Sequence, residues 1–478
     1  MQKKLAIKLG IIGFIALLLL IPLEMISGKI SERASYLEHA KREVAHSWTS
    51  SQRVLGSLIV VPYEVHEKVT ITDTITKEQH QKIKKTLHHK FIIPEKLTIT
   101  ADIDNSIRHK GIYNVPVYTS NININGVMTN KRLLKEINKI KSEGKKVIVK
   151  RAYFSITLSD PRGINSIPTL KWQDQEIAFQ PGSDLEENVN GLHADLPNFD
   201  LKKLTNISFS YQLALRGMER LSFVPIGVET KLNVQSTWPH PQFFGSFLPT
   251  ESKINSDGYA ADWSVTSFAS NIFDNVNRCE NGECNSLFSS AIGVKHIETV
   301  DVYVQSERTV KYGMLFIGLS FITFFIFETL MKLPIHPIQY CLVGFANATF
   351  YLLLISLSEN IAFGLAYLIA SGCCSALLLF YLKPVLKKAV YAYAFSGVLA
   401  ALYGALYIII SLEDLALMMG SILIFSALAI VMYTTRNINW YQVGDDLSVK
   451  SKMNKTTDNR INEADNENAE FGIRINID

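Results

Sequence analysis

No familiar catalytic signature occurs in this chain. The patterns G-x-S-x-G, H-E-x-x-H and G-x-G-x-x-G and the P-loop are absent. That removes the common motif-bearing hydrolases, zinc peptidases and nucleotide-binding folds. Cysteine is scarce, at five in 478 residues, and no C-x-x-C occurs, so a zinc ribbon or a thioredoxin-like redox motif is excluded. Charge of one sign is also lacking. The net value is +4 over the whole chain, which implies no nucleic-acid partner. There is no internal repeat of fixed period. No cofactor or metal is expected.

Long apolar runs are what the chain does have. They are Ala6–Ile26, Tyr312–Leu333, Ile338–Leu357, Ile361–Leu382, Ala389–Ser411 and Leu415–Thr434. Each reaches the roughly 20 residues a helix needs to cross a bilayer core about 30 Å thick. None shows the alternation of barrel strands, and in lipid only helices or closed barrels satisfy their own backbone. The short-loop cations Lys3, Lys4, Lys8, Lys332, Lys383, Lys387, Lys388 and Arg436 fall on one side, and the loops 358–360 and 412–414 carry none. The expected topology therefore has both termini in the cytoplasm and residues 27–311 outside. Lys29, Arg33, Arg308 and Lys311 depart from the pattern but flank a long translocated segment, where the rule weakens. Residues 24–29 offer no site of small residues for signal cleavage, so residues 1–28 read as an uncleaved membrane anchor.

The expected fold is membrane α-helical, with six transmembrane helices and a large all-β, sandwich-like extracytoplasmic domain containing one or two helices. Its parts are the anchor 1–28, a β-rich domain 29–311, a five-helix bundle 312–434, and a cytoplasmic tail 435–478, largely disordered. Ile30, Ala34, Leu37, Val44 and Trp48 follow helical spacing, interrupted by Lys41, which predicts a helix continuing out of the membrane. Period two then takes over. Leu97, Ile99, Ala101 and Ile103 alternate with polar residues, and similar runs fall at 147–158, 206–215, 221–224 and 228–234. One helix is expected at Asn130–Ser142. Such short strands suit one large sandwich or two stacked ones.

Cys279 and Cys284 lie in the outer segment and flank Asn281-Gly282, the strongest two-residue hairpin signal. A hairpin there would set the two Cα atoms about 4.5 Å apart as a non-hydrogen-bonded pair, within reach of a disulfide in an oxidising space.

Candidate functional residues are few. Glu328 sits about 16 residues in from the outer end of the second span, roughly 24 Å. Lys332, one turn on, could pair with it at the interface. The functional reading is a proton or ion relay, or a contact between bundled helices. Glu359 reads as a solvated cap or turn residue in a short outer loop. Trp238-Pro239-His240-Pro241 with Phe243 and Phe244 is either a ligand platform or a rigid aromatic knot. His88-His89 reads as part of a solvated loop, Lys82–Lys90. Asp102 with Asp104 reads as a solvated edge, and Asp160 as a turn residue.

Several strings resemble the CreD inner-membrane protein family of Gram-negative bacteria. They are FFIFETL (324–330), HPIQYCLVGF (336–345, opening on His336), FYLLLISLSEN (350–360) and TRNINWY (435–441). In the outer segment ISERASY (30–36), STWPHPQFFGSFLP (236–249) and Pro181-Gly182 add to them. The chain departs from the family at Asn360, where Ser-Glu-His is frequent. The resemblance implies a role in cell-envelope integrity, a regulon under a two-component system, and a link to the β-lactam response. It implies no reaction. The leading expectation is a non-enzymatic, multi-pass inner-membrane protein whose periplasmic domain binds an envelope protein or glycan, with membrane lipid as its other partner. The alternative is an ion- or proton-coupled transporter or channel using Glu328. A third reading is an envelope enzyme assembled from Asp102, Asp160 and His240.

Overall fold

The computed structural model describes residues 2–72, 79–143, 145–185, 190–197, 199–200, 206–297, 302–331, 333, 335–386, 388–412 and 415–436. Lys332, Lys387 and nearly all of the tail lie outside the described residues. The chain forms two compact units. One comprises Met1–Tyr36 with Val300–Asp478, the other Leu37–Thr299.

The first unit is helical. Among the described residues six helices are long and apolar enough to span a membrane: Ala6–Ser47, Gly313–Leu330, Pro337–Ser358, Phe363–Val385, Ala389–Ser411 and Ala416–Thr435. Each coincides with an expected apolar run. The first is a helix of Gln2–Leu18 followed by one of Leu20–Ser47. Pro22 explains the interruption: it has no N–H to give the Leu18 carbonyl one turn back. Beyond it the helix runs on through the predicted stripe, and Ile30, Leu37 and Val44 are buried.

Pro337–Ser358 is the most buried span. A Cβ on its Gly344 would run into the side chain of Leu19, so glycine permits the first span to approach closely. Aromatic packing fills the bundle further on. The Tyr403 ring lies 4.4 Å from that of Phe316 and 4.7 Å from that of Phe350, and the Tyr367 hydroxyl donates to the Tyr403 carbonyl at 2.7 Å. The last span buries only Gly420. Its exposed Leu417, Phe425 and Ile430 suit a lipid-facing surface.

The second unit is a β-sandwich. Among the described residues one sheet has nine strands and the other eight. In strand Ile207–Met218, Phe209, Tyr211, Leu213 and Leu215 point inward and alternate with Ser208, Ser210 and Gln212. The period-two pattern thus becomes one buried and one solvated face. Phe154 of the nine-stranded sheet meets Phe209 at 5.2 Å and Tyr211 at 5.8 Å from the other sheet. The Ser57 and Tyr211 hydroxyls bond across the core at 2.9 Å. Both sheets contribute to a single hydrophobic cluster, so the domain is one large sandwich. The expected helix is present as Lys131–Ser142. Near the domain's start, Trp48 lies between the guanidinium groups of Arg108 and Arg216, 4.4 and 4.8 Å from its ring. Lys41, which broke the apolar stripe, is paired with Glu38 at 2.8 Å and Glu219 at 3.7 Å.

Two local expectations are corrected. Residues 82–90 are part of strand Gln79–Ile92, which pairs antiparallel with Gln52–Thr72 over 14 registered positions. Their lysines are compatible with an edge strand, where charge is well tolerated. The Asn281-Gly282 segment is not a β-hairpin. It joins helix Ile272–Glu280 to helix Asn285–Ser289. Gly282 takes φ 91°, and Gly282 N–H and Glu283 N–H donate to the carbonyls of Cys279 and Arg278 at 3.1 and 2.9 Å. Glycine here ends a helix in the left-handed conformation, a use open to the same residue that favours hairpins. The disulfide Cys279–Cys284 is nevertheless formed, with Cα atoms 4.0 Å apart.

Candidate functional site

Glu328 is the strongest candidate in the helical unit. It lies near the C-terminal end of Gly313–Leu330 and is 6% exposed. A carboxylate there opposes the helix dipole, so it needs donors. Lys8 of the first span supplies one through an ion pair with Oε1. The Tyr340 hydroxyl donates to Oε2 at 2.8 Å, and the Ile335 N–H to Oε1 at 3.4 Å. Lys8 also donates to the Ile335 carbonyl at 3.3 Å. Its ion-pair partner among the described residues is therefore a lysine 320 positions away, while Lys332, the partner the sequence suggested, lies outside the described residues. Three segments converge on one carboxylate, which makes it a clasp between helices.

His336 has a structural task. Its Nδ1 accepts from Ile338 N–H at 3.3 Å, and the Gln339 side chain accepts from His336 N–H at 3.1 Å. This reciprocal arrangement caps Pro337–Ser358 at its start. Glu359 follows the other end of that helix. It is not merely solvated: it accepts from the Tyr303 hydroxyl at 3.3 Å and lies 3.5 Å from Arg33 Nε. Arg33, anomalous in the charge pattern, thus has a carboxylate beside it.

In the sandwich, Pro241–Gly245 is a strand paired with Ile292–His296. Trp238 donates through Nε1 to the Ile297 carbonyl at 2.9 Å, and the Phe243 ring lies 5.8 Å from Tyr259 and 5.6 Å from Trp263. Both pack on the core. Phe244 stacks beneath Arg220 at 5.6 Å, and His240 is exposed. Asp160 accepts from Arg162 at 2.6 and 2.9 Å and from Ser50 N–H at 3.2 Å. The guanidinium bond holds its carboxyl down at about 2, and Arg162 also donates to the His46 carbonyl at 2.8 Å. This aspartate braces the chain's entry into the sandwich. Asp102 and Asp104 line a cleft of about 650 Å³ whose walls include neither Asp160 nor His240. Among the described residues no group of three potential metal ligands occurs.

That cleft leads to a feature the sequence reading passed over. Asn121, Asn123 and Asn125 are exposed at alternate positions of a central strand, while Ile122 and Ile124 between them are buried. They lie opposite Asp102, Thr100 and Thr98 on one side. On the other they face Ala214, Gln212 and Ser210. Further out, Gln235, Asn233 and Lys231 continue the rows. Gln235 donates to Asp102, and Asn233 Nδ2 donates to Asp262 at 2.7 Å. A second cleft, of about 570 Å³, shares Asn121 and is lined by Asn123, Asn125, Gln212 and Lys171. The result is a grooved face dense in amides, hydroxyls and carboxylates. Asparagine is depleted in strands, so its recurrence at every outward position of Ser120–Asn125 was the available signal.

Comparison with known proteins places the chain. Inner membrane protein CreD of Escherichia coli (strain K12) is 32% identical over 446 residues, spanning 93% of this chain and 95% of that protein. Among solved structures, the M1 zinc metallopeptidase of Deinococcus radiodurans aligns with 36% of this chain, whether a mutant bound to a Tyr-Ser-Ala substrate or the peptidase alone. The alignment covers 39% and 38% of those chains at 6% identity, with a TM-score of 0.17, a level that bears on neither fold nor function. The profile of the family described as inner membrane protein CreD matches residues 4–441, and the chain belongs to that family.

Proposed function

We propose that this protein is a non-enzymatic component of cell-envelope integrity and stress response, and that its sandwich lies in the periplasm and binds an envelope glycan. Both termini then lie in the cytoplasm. The outward face around Asn121, Asn123 and Asn125 carries the reading. Its amides offer paired donors and acceptors, and Asp102, Asp104, Lys253 and Lys171 border the two clefts. Such groups match the hydroxyls, amides and carboxylates of a cell-wall glycan. Each direct bond contributes only about 0.5–1.5 kcal/mol net, so recognition would be spread along the groove. The β-lactam link implied by the family resemblance fits a protein that senses or holds wall material.

Transport through Glu328 is the rival. It draws on a buried intramembrane carboxylate, but Lys8, Tyr340 and Ile335 already engage that group as a clasp. The test is to incubate the purified full-length protein with peptidoglycan fragments and with lipid-linked wall precursor. Binding without turnover, weakened by Asn121→Ala with Asn123→Ala, is expected. Turnover of either material would overturn the non-enzymatic reading, and absence of binding would overturn the glycan.

A further inference from the structure

The strands and helix around the long ribbon concentrate charge that the rest of the chain lacks. Residues 79–92 and 131–150 hold twelve Lys and Arg against two Glu, a net of +10 where the whole chain carries +4. The fold brings these segments together. Strand Gln52–Thr72 pairs with Gln79–Ile92 on one edge and with Lys146–Val149 on the other. Helix Lys131–Ser142 is tied to the same ribbon by an ion pair from Lys90 to Glu136 at 2.9 Å. Beyond His66 the ribbon continues as two strands alone among the described residues, from Glu67↔Lys84 to Thr72↔Gln79. At about 3.4 Å per residue this arm projects roughly 20 Å.

One face of the ribbon mixes cations with bare apolar side chains. Lys85 and Lys146 flank His66 in one row, Leu87 and Ile148 flank Glu64 in the next, and Ile83 lies opposite Lys68. Ile83 and Leu87 are 56% and 53% exposed. Among the described residues Glu64 is the acidic group on this face, and Lys150 pairs with it at 2.9 Å. Lys68, Lys85 and Lys146 have no ion pair among the described residues. A soluble polyanion would call for cations alone. Exposed Ile and Leu between lysines suit the bilayer interface, where apolar tips enter the headgroup layer and lysine stems reach phosphates.

We infer that this face of the ribbon docks on a bilayer surface rich in anionic phospholipid. The inference goes beyond the glycan reading and uses a different surface. The full-length protein in phosphatidylcholine nanodiscs is mixed with vesicles of phosphatidylcholine, alone or blended with phosphatidylglycerol, and recovered by flotation. Co-flotation with the anionic vesicles only is expected, and it should fall with added salt. Each lysine removed should weaken partitioning about fivefold. The triple variant Lys68→Gln, Lys85→Gln, Lys146→Gln should therefore lose about a hundredfold. Ile83→Ser with Leu87→Ser should also weaken binding at unchanged charge. All five side chains lie on the ribbon surface, and an unchanged circular dichroism spectrum and melting temperature of the variants would show that the fold is intact. Equal recovery with both vesicle types, or none with either, would overturn the inference. Vesicle binding insensitive to Ile83→Ser with Leu87→Ser, but displaced by soluble polyphosphate, would point instead to a soluble polyanion and would equally overturn it.

Discussion

Removing one member of the Lys8–Glu328 pair should damage the helical unit more than removing both. The two side chains are 16% and 7% exposed, so the pair is largely desolvated. Losing one partner of such a pair leaves a charge without compensation, at a cost of about 3–5 kcal/mol. Lys8 can recover part of that by extending its stem toward the interface, which brings Glu328→Met to about 2–3 kcal/mol. Lys8→Met leaves the carboxylate with Tyr340 and Ile335 as its remaining donors and should cost a similar amount. The double variant Lys8→Met, Glu328→Met replaces charge by apolar volume and should lie within about 1 kcal/mol of the parent. The cycle therefore predicts a coupling of at least about 3 kcal/mol. With the more accessible Cys341 and Cys373 replaced by Ala, the buried Cys374 thiol offers the readout, because a thiol-reactive dye labels it only when the bundle opens. Single variants close to the parent, with an additive double variant, would refute the clasp. A stable Glu328→Gln protein that fails to complement a deletion strain would turn the argument toward transport.

Three further outcomes are expected. His296 is 3% exposed, and burial holds its imidazole down at about 4. The unfolded chain, titrating near 6.5, takes up the proton first, so this stability is full above about pH 6.5 and is lost by roughly 2–3 kcal/mol as pH falls toward 4. Denaturant titrations in both ranges should show the loss, and His296→Gln should remove it. Mass spectrometry without reduction should find Cys279 bonded to Cys284, and the double Ser variant should keep the fold at a cost of about 2 kcal/mol, given the short loop. Free thiols at both positions would contradict this. Asn347 is fully buried in the bundle, and neither atom of its amide has a hydrogen-bond partner among the described residues. Asn347→Leu should therefore stabilise the protein by about 1–2 kcal/mol. A lower melting temperature would show that the amide is used.

What was legible in the sequence follows from the range of the signal. The six spans rest on long, predominantly apolar runs, each complete within some 20 residues, and all are present as helices. The inward rows of the sandwich were visible for the same reason, since period two is local. Whether there was one sandwich or two was not visible. The decisive pairings are parallel and distant: Gln52–Thr72 with Arg220–Phe223, and Pro94–Lys110 with Glu229–Ser236. Glu328 was visible as an intramembrane charge, but Lys8 could not be chosen over the nearer Lys332 from spacing alone. Asn281-Gly282 marked a reversal correctly and its type wrongly, because left-handed glycine serves both hairpins and helix ends. The asparagine row was not legible because alternation identifies a strand through its buried members, Ile122 and Ile124, and assigns no role to the exposed positions between them.

The central claim is that the Asn121–Asn125 face of the sandwich is the surface that meets the envelope. In vivo photo-crosslinking tests it most directly. A photoreactive residue at position 123 should capture glycan-bearing wall material in living cells, and one at position 278, exposed on helix Ile272–Glu280, should not. Capture from 278 alone, or from neither position, would contradict the account.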